Sequence, residues 1–230
     1  MGKSINTYVL LSAKNWHDTL FYNLSTNPNE NWVRINEKDH FVIENLISIN
    51  PNKIFIPHWS YIIPEEIFNS FDCIVFHMTD LPFGRGGSPL QNLIVRGFKS
   101  TKISAIKVQS GIDTGDVYLK KSLDLTGSAQ EIFQKSAIII EEMIKEIIIK
   151  KSIPSPQIGE IVEFKRRKPE ESNISELEDL ENIYNYIRML DCEGYPHAFI
   201  ETKFFKAEFT NANFNESEKI ITANVRIVKK

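Results

Sequence analysis

The run Cys73-Ile74-Val75-Phe76-His77-Met78-Thr79-Asp80-Leu81-Pro82-Phe83-Gly84-Arg85-Gly86-Gly87-Ser88-Pro89 decides the fold class of this 230-residue chain. Its first four residues are apolar, too few for a helix, and a Gly/Pro-rich loop ends them, so they read as a core strand. Pro89 suits the first turn of a helix. Strand, loop and helix in that order form the repeating unit of an α/β sheet, where ligands gather past the strand carboxyl ends. His77 is therefore expected at the sheet's edge. A second β-rich run, residues 103–108, leads into Gly111-Ile112-Asp113-Thr114-Gly115-Asp116 and places Asp113 past a strand end as well. An imidazole beside a carboxylate keeps one tautomer, passes a proton near neutral pH and tolerates the charge that develops. Such a pair suits group transfer to an amine.

Upstream, residues 7–11 read as a strand, 15–24 as a helix with Trp16, Leu20, Phe21 and Leu24 on one face, 32–35 as a strand and 39–49 as a helix. Residues 53–56 form the next strand, and Pro64 opens a helix through residue 68. This alternation predicts an α/β fold, a mainly parallel sheet with helices on both faces. Downstream, two strands flank the 111–116 turn, and Ser128-Ala129-Gln130-Glu131 has the capping-box pattern that opens a long helix to about residue 150. Ser152-Ile153-Pro154-Ser155-Pro156 reads as a linker. A helix near 174–190, a turn at Tyr195-Pro196 and β-rich runs at 198–209 and 219–228 follow, as in a small antiparallel sheet. The expected organisation is a catalytic domain over residues 1–151 and a small α+β appendage over 152–230.

Composition narrows the function classes. A hydrophobic share of 42% and a charged share of 25% are those of an ordinary globular protein. No apolar stretch approaches the roughly 18 residues that cross a bilayer, and Met1-Gly2-Lys3-Ser4 starts no apolar signal core, so a cytoplasmic location is expected. Cys73 and Cys192 stand without paired spacing and read as reduced thiols. His17, His40 and His197 show no metal-ligand spacing, so no metal is expected. Leu11-Ser12-Ala13-Lys14-Asn15-Trp16 contains no glycine, which argues against a dinucleotide, and the absence of Gly-Lys-Ser/Thr excludes a nucleoside-triphosphate loop. With 27 basic against 30 acidic residues there is no excess to attract a polyanion, and nucleic acid is not the expected partner. Lys165-Arg166-Arg167-Lys168 is a local cluster that reads first as a solvated segment.

The order His, two residues, Leu-Pro, Arg-Gly, Ser-Pro, then Ile-Asp-Thr-Gly-Asp resembles the folate-dependent formyltransferases, and both motifs stand ungapped at that family's spacing. Trp59-Ser60-Tyr61-Ile62-Ile63-Pro64 resembles the family's aromatic-Gly-x-x-Leu-Pro segment. Phe164-Lys165-Arg166-Arg167-Lys168-Pro169-Glu170-Glu171-Ser172 resembles its link into a small second domain. The resemblance implies a Rossmann-like sheet, 10-formyltetrahydrofolate as formyl donor, and His77 and Asp113 as the catalytic pair. It implies a pterin site formed by Tyr61, Ile62, Ile63, Pro64, Val108, Gly111 and Ile112. Members usually carry Asn-x-His, the Asn amide binding the developing oxyanion, whereas Val75 stands here two residues before His77. Thr79 and main-chain amides of the Gly-rich loop are the nearest replacements in sequence.

Each remaining candidate has a plainer reading beside the functional one. Lys14, His58 and Trp59 fit an acceptor site at the sheet edge, or simple packing and capping. Arg85 fits a phosphate or orienting contact, or a structural salt bridge, and Gly86 a close approach of substrate to backbone; Thr79 belongs with them. Asp80 and Asp116 compete with Asp113 as the carboxylate, and the family pattern selects Asp113. The runs around His58 and His77 look like enzymes of pseudaminic-acid-type glycan synthesis, which implies a UDP-linked 4-amino-4,6-dideoxy sugar as acceptor. Initiator methionyl-tRNA is the second acceptor, and a folate or nucleotide-sugar binding protein without turnover the third reading. A homodimer is compatible with all three.

Overall fold

The computed structural model describes residues 5–230; the Met1-Gly2-Lys3-Ser4 start lies outside the described residues. In chain order the elements are β1 (Asn6–Ser12), α1 (Asp18–Ser25), β2 (Glu30–Ile35), α2 (Ile43–Ile49), β3 (Lys53–His58), α3 (Glu65–Ser70), β4 (Cys73–His77), β5 (Phe83–Gly86) and α4 (Pro89–Val95). There follow β6 (Ser100–Lys107), β7 (Val117–Asp124), α5 (Ala129–Lys150), β8 (Val162–Phe164), α6 (Leu180–Arg188), β9 (Ala198–Glu201), β10 (Phe205–Asn215) and β11 (Ile220–Lys229).

A six-stranded sheet has the order β2-β1-β3-β4-β6-β7. β1 pairs parallel with β2 and β3, and β3 parallel with β4, as the α/β reading expects; β4 and β6 pair antiparallel. In that register His77 lies opposite Ser104 and Ile74 opposite Lys107. The carboxyl end of β6 is thus beside the start of β4. The strand-end argument holds for His77 and fails for Asp113, which reaches the imidazole through the loop after β6.

The chain divides into two compact units. The first takes residues up to Arg85 with Lys102–Leu123 and Gln134–Glu163. Its core joins Val9, Leu11, Ile35, Leu46, Ile54, Ile56, Ile67 and Cys73, residues from the central parallel strands and the helices over one face. β1 and β3 are apolar on both faces, as strands covered on both sides must be. The segment read as a linker is fastened here, for Ser155 and Val117 exchange both main-chain hydrogen bonds, 3.0 and 2.7 Å. Burial pushes the Cys73 thiol up to about 12, so it stays a protonated packing group.

The second unit takes Gly86–Thr101, Asp124–Phe133 and Phe164–Lys230. Its antiparallel sheet has the order β11-β10-β9, and α6 lies against β10 with the Tyr184 and Phe214 rings 5.8 Å apart. Arg188, buried, donates from Nη1 to the carbonyls of Leu125 and Gly127 and from Nε to Asn185 Oδ1, which offsets the cost of burying its charge.

Several elements differ from expectation, among them the helix expected over 39–49, which begins at Ile43 after a separate 3-10 turn at Lys38–His40. Residues 15–17 form a tight 3-10 turn, because Lys14 C=O accepts from His17 N–H, and α1 begins at Asp18. The helix expected from residue 174 begins at Leu180. Ile174 N–H is taken by Phe199 C=O, and Asp179 caps the helix through Asn182 N–H at 2.9 Å. β5 and β8 form a two-stranded ribbon that the glycine-rich sequence did not suggest. Among the described residues no helix is long and apolar enough to cross a membrane, and no group of His, Cys, Asp and Glu is placed to hold a metal.

Candidate active site

His77 closes β4 with its ring buried. Nε2 lies 2.7 Å from Gly84 C=O, and because a carbonyl only accepts, Nε2 carries the hydrogen. Nδ1 is therefore the nitrogen that gains and loses a proton, and it faces Asp113 Oδ2 at 3.4 Å. Thr79 is fully buried and its hydroxyl donates to the same Gly84 oxygen at 3.3 Å, while Thr79 C=O accepts from Ser104 at 2.7 Å. Thr79 thus helps fix the clamp, and its hydrogen is already committed. The Gly87 N–H is likewise committed, to Phe164 C=O at 3.1 Å.

The loop that brings Asp113 to His77 is built for close approach. Asp113 has φ 53°, in the left-handed region that costs a non-glycine residue energy. A Cβ on Gly115 would sit 1.7 Å from Lys107 C=O, so only glycine fits there. Lys107 N–H donates to Asp116 C=O, Val108 N–H to Cys73 C=O, and the Thr114 hydroxyl to Ser110 C=O, each at 2.8 to 2.9 Å. The amide of Gln157 donates from Nε2 to both Asp113 C=O and Gly115 C=O at 2.8 Å. Its Oε1 accepts from Arg85 Nε and Nη2 at 3.1 and 2.8 Å. Gln157 was not among the sequence candidates; a lone glutamine after a proline-rich stretch carries no pattern. Arg85, expected near a phosphate, is bound to this amide.

The competing carboxylate, Asp80, is held by Lys102 at 2.9 Å and Lys120 at 2.6 Å. Partial burial pushes its carboxyl up, but the two ammonium groups outweigh it and hold it below the usual range. Asp113, not Asp80, is the carboxylate at the imidazole.

Trp59, Ile63, Val75 and Val108 are among the partly buried apolar residues packed against the first unit's core. Val75 and His77, two apart on one strand, share a face. Tyr61, Ile62, Gly111 and Ile112 are exposed beside them in sequence, and Pro64 caps α3. Lys38 Nζ lies 4.8 Å from the Tyr61 ring, which stands 5.4 Å from Trp59.

The other candidates gather at the ends of β1 and β3. Ser12 pairs with His58 in register, the Ser12 hydroxyl lies 2.6 Å from His17 Nδ1, and Trp16 stands edge-on to His58 at 5.7 Å. Burial first, then the neighbouring His58, Arg34 and Lys14, pushes His17 down to about 3; burial and then Lys14 push His58 down to about 4. Both rings are neutral, and the cations beside them are Lys14, 5.1 Å from the Trp16 ring, and Arg34, whose Nε donates to Ser12 C=O at 3.1 Å and Nη2 to Lys14 C=O at 2.9 Å. At Gly86 a Cβ would lie 2.4 Å from Phe164 C=O, so the glycine there serves the approach of one main chain to another. A separate groove of about 480 Å³ lies over β2 and α2, lined by Val33, Arg34, Ile35, Asp39, His40 and Asn45, and none of the candidates lines it.

Residues 169–228 match the family model described as methionyl-tRNA formyltransferase, C-terminal domain. A solved structure described as methionyl-tRNA formyltransferase from Clostridium thermocellum is 50% identical, covers 98% of this chain and 100% of its own, and superposes with a TM-score of 0.95. The methionyl-tRNA formyltransferase of Thermodesulfovibrio yellowstonii is 30% identical over 159 residues, 66% of this chain and 52% of that protein. The chain spans about half to two thirds of the length of the first curated relatives it matches. A 4-N formyltransferase from Francisella tularensis shares the fold, with a TM-score of 0.69 at 13% identity over 87% of this chain and 94% of its own.

Proposed function

We propose that this chain, which belongs to the folate-dependent formyltransferase family, moves a formyl group from 10-formyltetrahydrofolate to a primary amine beside His77 and Asp113. The observation that carries the reading is the imidazole held between Gly84 C=O and the Asp113 carboxylate. The folate co-substrate supplies an activated formyl carbon, and the partly buried apolar side chains of Trp59, Ile63, Val75 and Val108 are offered as the groups that receive its ring. The acceptor amine attacks in its uncharged form and must then lose a proton. Asp113, directly or through water, takes that proton, His77 Nδ1 shares it, and as the bond from the formyl carbon to the folate nitrogen breaks the proton passes to that nitrogen, so that tetrahydrofolate leaves neutral. An imidazolium so formed sits between a carboxylate and a carbonyl, both of which stabilise its charge. With both ring nitrogens already engaged, the geometry favours proton transfer over direct oxyanion binding as the role of His77.

For the acceptor, the names of the relatives favour methionyl-tRNA over the nucleotide-linked amino sugar expected from sequence. The 50%-identical structure and the model over residues 169–228 both carry that name, while the sugar enzyme is distant. One observation keeps the sugar as a second reading. Four cations of the second unit are paired within it: Lys206 and Arg226 with Glu208, Lys230 with Glu201 and Lys99 with Glu181. That pairing offsets part of the positive field a polyanion would use, and the Lys165-Arg166-Arg167-Lys168 run of the same unit works in the other direction. Incubation with 10-formyltetrahydrofolate and either methionyl-tRNA or a panel of UDP- and TDP-linked amino sugars, read by mass, separates the two. A gain of one formyl group on the aminoacyl end with steeply salt-dependent binding supports tRNA; formylation of a sugar alone replaces it. No formyl product from any acceptor removes the transfer reading.

A further inference from the structure

A short strand and a loop hold the two nitrogens of His77. β5 presents Gly84 C=O to Nε2, and the loop after β6 presents the Asp113 carboxylate to Nδ1. One side chain cross-links them. Gln157 Oε1 takes the guanidinium of Arg85, the residue next to Gly84, and Gln157 Nε2 takes the carbonyls of Asp113 and Gly115.

The orientation of this amide follows from chemistry. A guanidinium only donates and carbonyls only accept, so the oxygen must face Arg85 and the nitrogen must face the loop. Both amide hydrogens and both oxygen lone pairs are thereby used. A charged donor on the oxygen also polarises the amide and strengthens what the nitrogen donates. The backbone that carries Gln157 is fixed independently, through the paired hydrogen bonds of Ser155 and Val117. Asp113 in turn occupies a left-handed conformation at φ 53°, and the donation from Gln157 to its carbonyl at 2.8 Å helps to hold it there.

We infer that Gln157 is a positioning residue: it holds the Asp113 loop against β5 at Gly84 and Arg85 and so keeps carboxylate and imidazole at transfer distance. The segment that sequence suggests is a tether thus completes the site. This assignment rests on the formyl-transfer reading above for its kinetic consequence but not for its structural one.

The test uses the full chain with Gln157→Met, which keeps the volume and removes every hydrogen bond of the amide. A second variant, Gln157→Glu, keeps the contact to Arg85 and removes both donors to the loop. Both are expected to lower kcat about 10- to 100-fold, with KM for 10-formyltetrahydrofolate within about threefold and melting temperature near that of the parent. In an Asp113→Asn background, Gln157→Met is expected to add less than about threefold under single-turnover conditions, because the two act through one contact. Full additivity with Asp113→Asn, or a loss confined to KM, overturns the assignment. Amide hydrogen exchange is followed in parallel: exchange over residues 109–116 should accelerate in Gln157→Met while β1 and β3 keep their protection. Unchanged protection over 109–116 overturns the assignment whether or not transfer is seen. Accelerated exchange in a parent that forms no formyl product would instead count against the transfer reading alone.

Discussion

His77 is useful because its ring cannot turn. Gly84 C=O fixes Nε2 as the N–H nitrogen and leaves Nδ1 to Asp113. Removing either member should cost about 100- to 10,000-fold in kcat, the usual worth of positioned acid and base groups. His77→Ala and Asp113→Asn are therefore expected to lose transfer while melting near the parent temperature; near-normal turnover in either would rule out the pair. Val75 poses the opposite question. It shares a face with His77 and packs on the core, so its place is apolar where the family pattern has an amide. Val75→Asn is expected to raise kcat and to lower stability by roughly 1–2 kcal/mol, the cost of a partly buried amide, measured by single-turnover kinetics and denaturant unfolding. An unchanged rate with the lost stability would mean that another donor already serves the oxyanion. These residues were legible in sequence because motif and chemistry coincide. Gln157 was not, because its importance lies in a strand and a distant loop that meet only after folding.

At the scale of elements, local hydrogen bonding was legible and strand direction was not. Ser128 and Glu131 form the capping box their spacing suggests, with Ser128 N–H on Glu131 Oε2 at 2.8 Å and Glu131 N–H on Ser128 Oγ at 3.3 Å. Ser128→Ala should lower stability by about 1 kcal/mol without moving activity; denaturant midpoints of the two proteins check this, and equal midpoints would mean the helix is capped otherwise. An apolar run such as that of β6 reads alike in either direction, so nothing in it announces the antiparallel pairing with β4. The same limit applies to β5 and β8, where glycines chosen for backbone approach mask the strand pattern. At Gly86 that approach is to Phe164 C=O. The late start of α6 has a different origin. Ile174 has an apolar side chain at helical spacing, but its N–H is bonded to Phe199, and a tertiary contact overrides the periodicity.

For the molecule as a whole, acid sensitivity follows from the buried histidine cluster rather than from net charge. His17 is pushed down to about 3 and His58 to about 4, against about 6.5 in an unfolded chain. Between those values the unfolded state binds protons that the folded state refuses. Stability from both rings is therefore fully present above about pH 6.5 and falls as the pH drops toward 4. Each ring contributes a slope of up to about 1.4 kcal/mol per pH unit in that window, so the pair gives up to about 2.7. Carboxylates such as Asp80, held below the usual range, add the same sign of effect only at lower pH. His17→Gln cannot be protonated and retains a partner for the Ser12 hydroxyl. Denaturant unfolding at pH 4.5 to 6.5 should show its slope reduced to about half that of the parent, with little difference at pH 7.5 beyond the cost of the substitution itself. A parent whose stability is flat across that range would mean the two rings accept protons in the folded state. The neutral rings at the ends of β1 and β3 would then have to be replaced by charged ones, set beside the Lys14 and Arg34 cations already there.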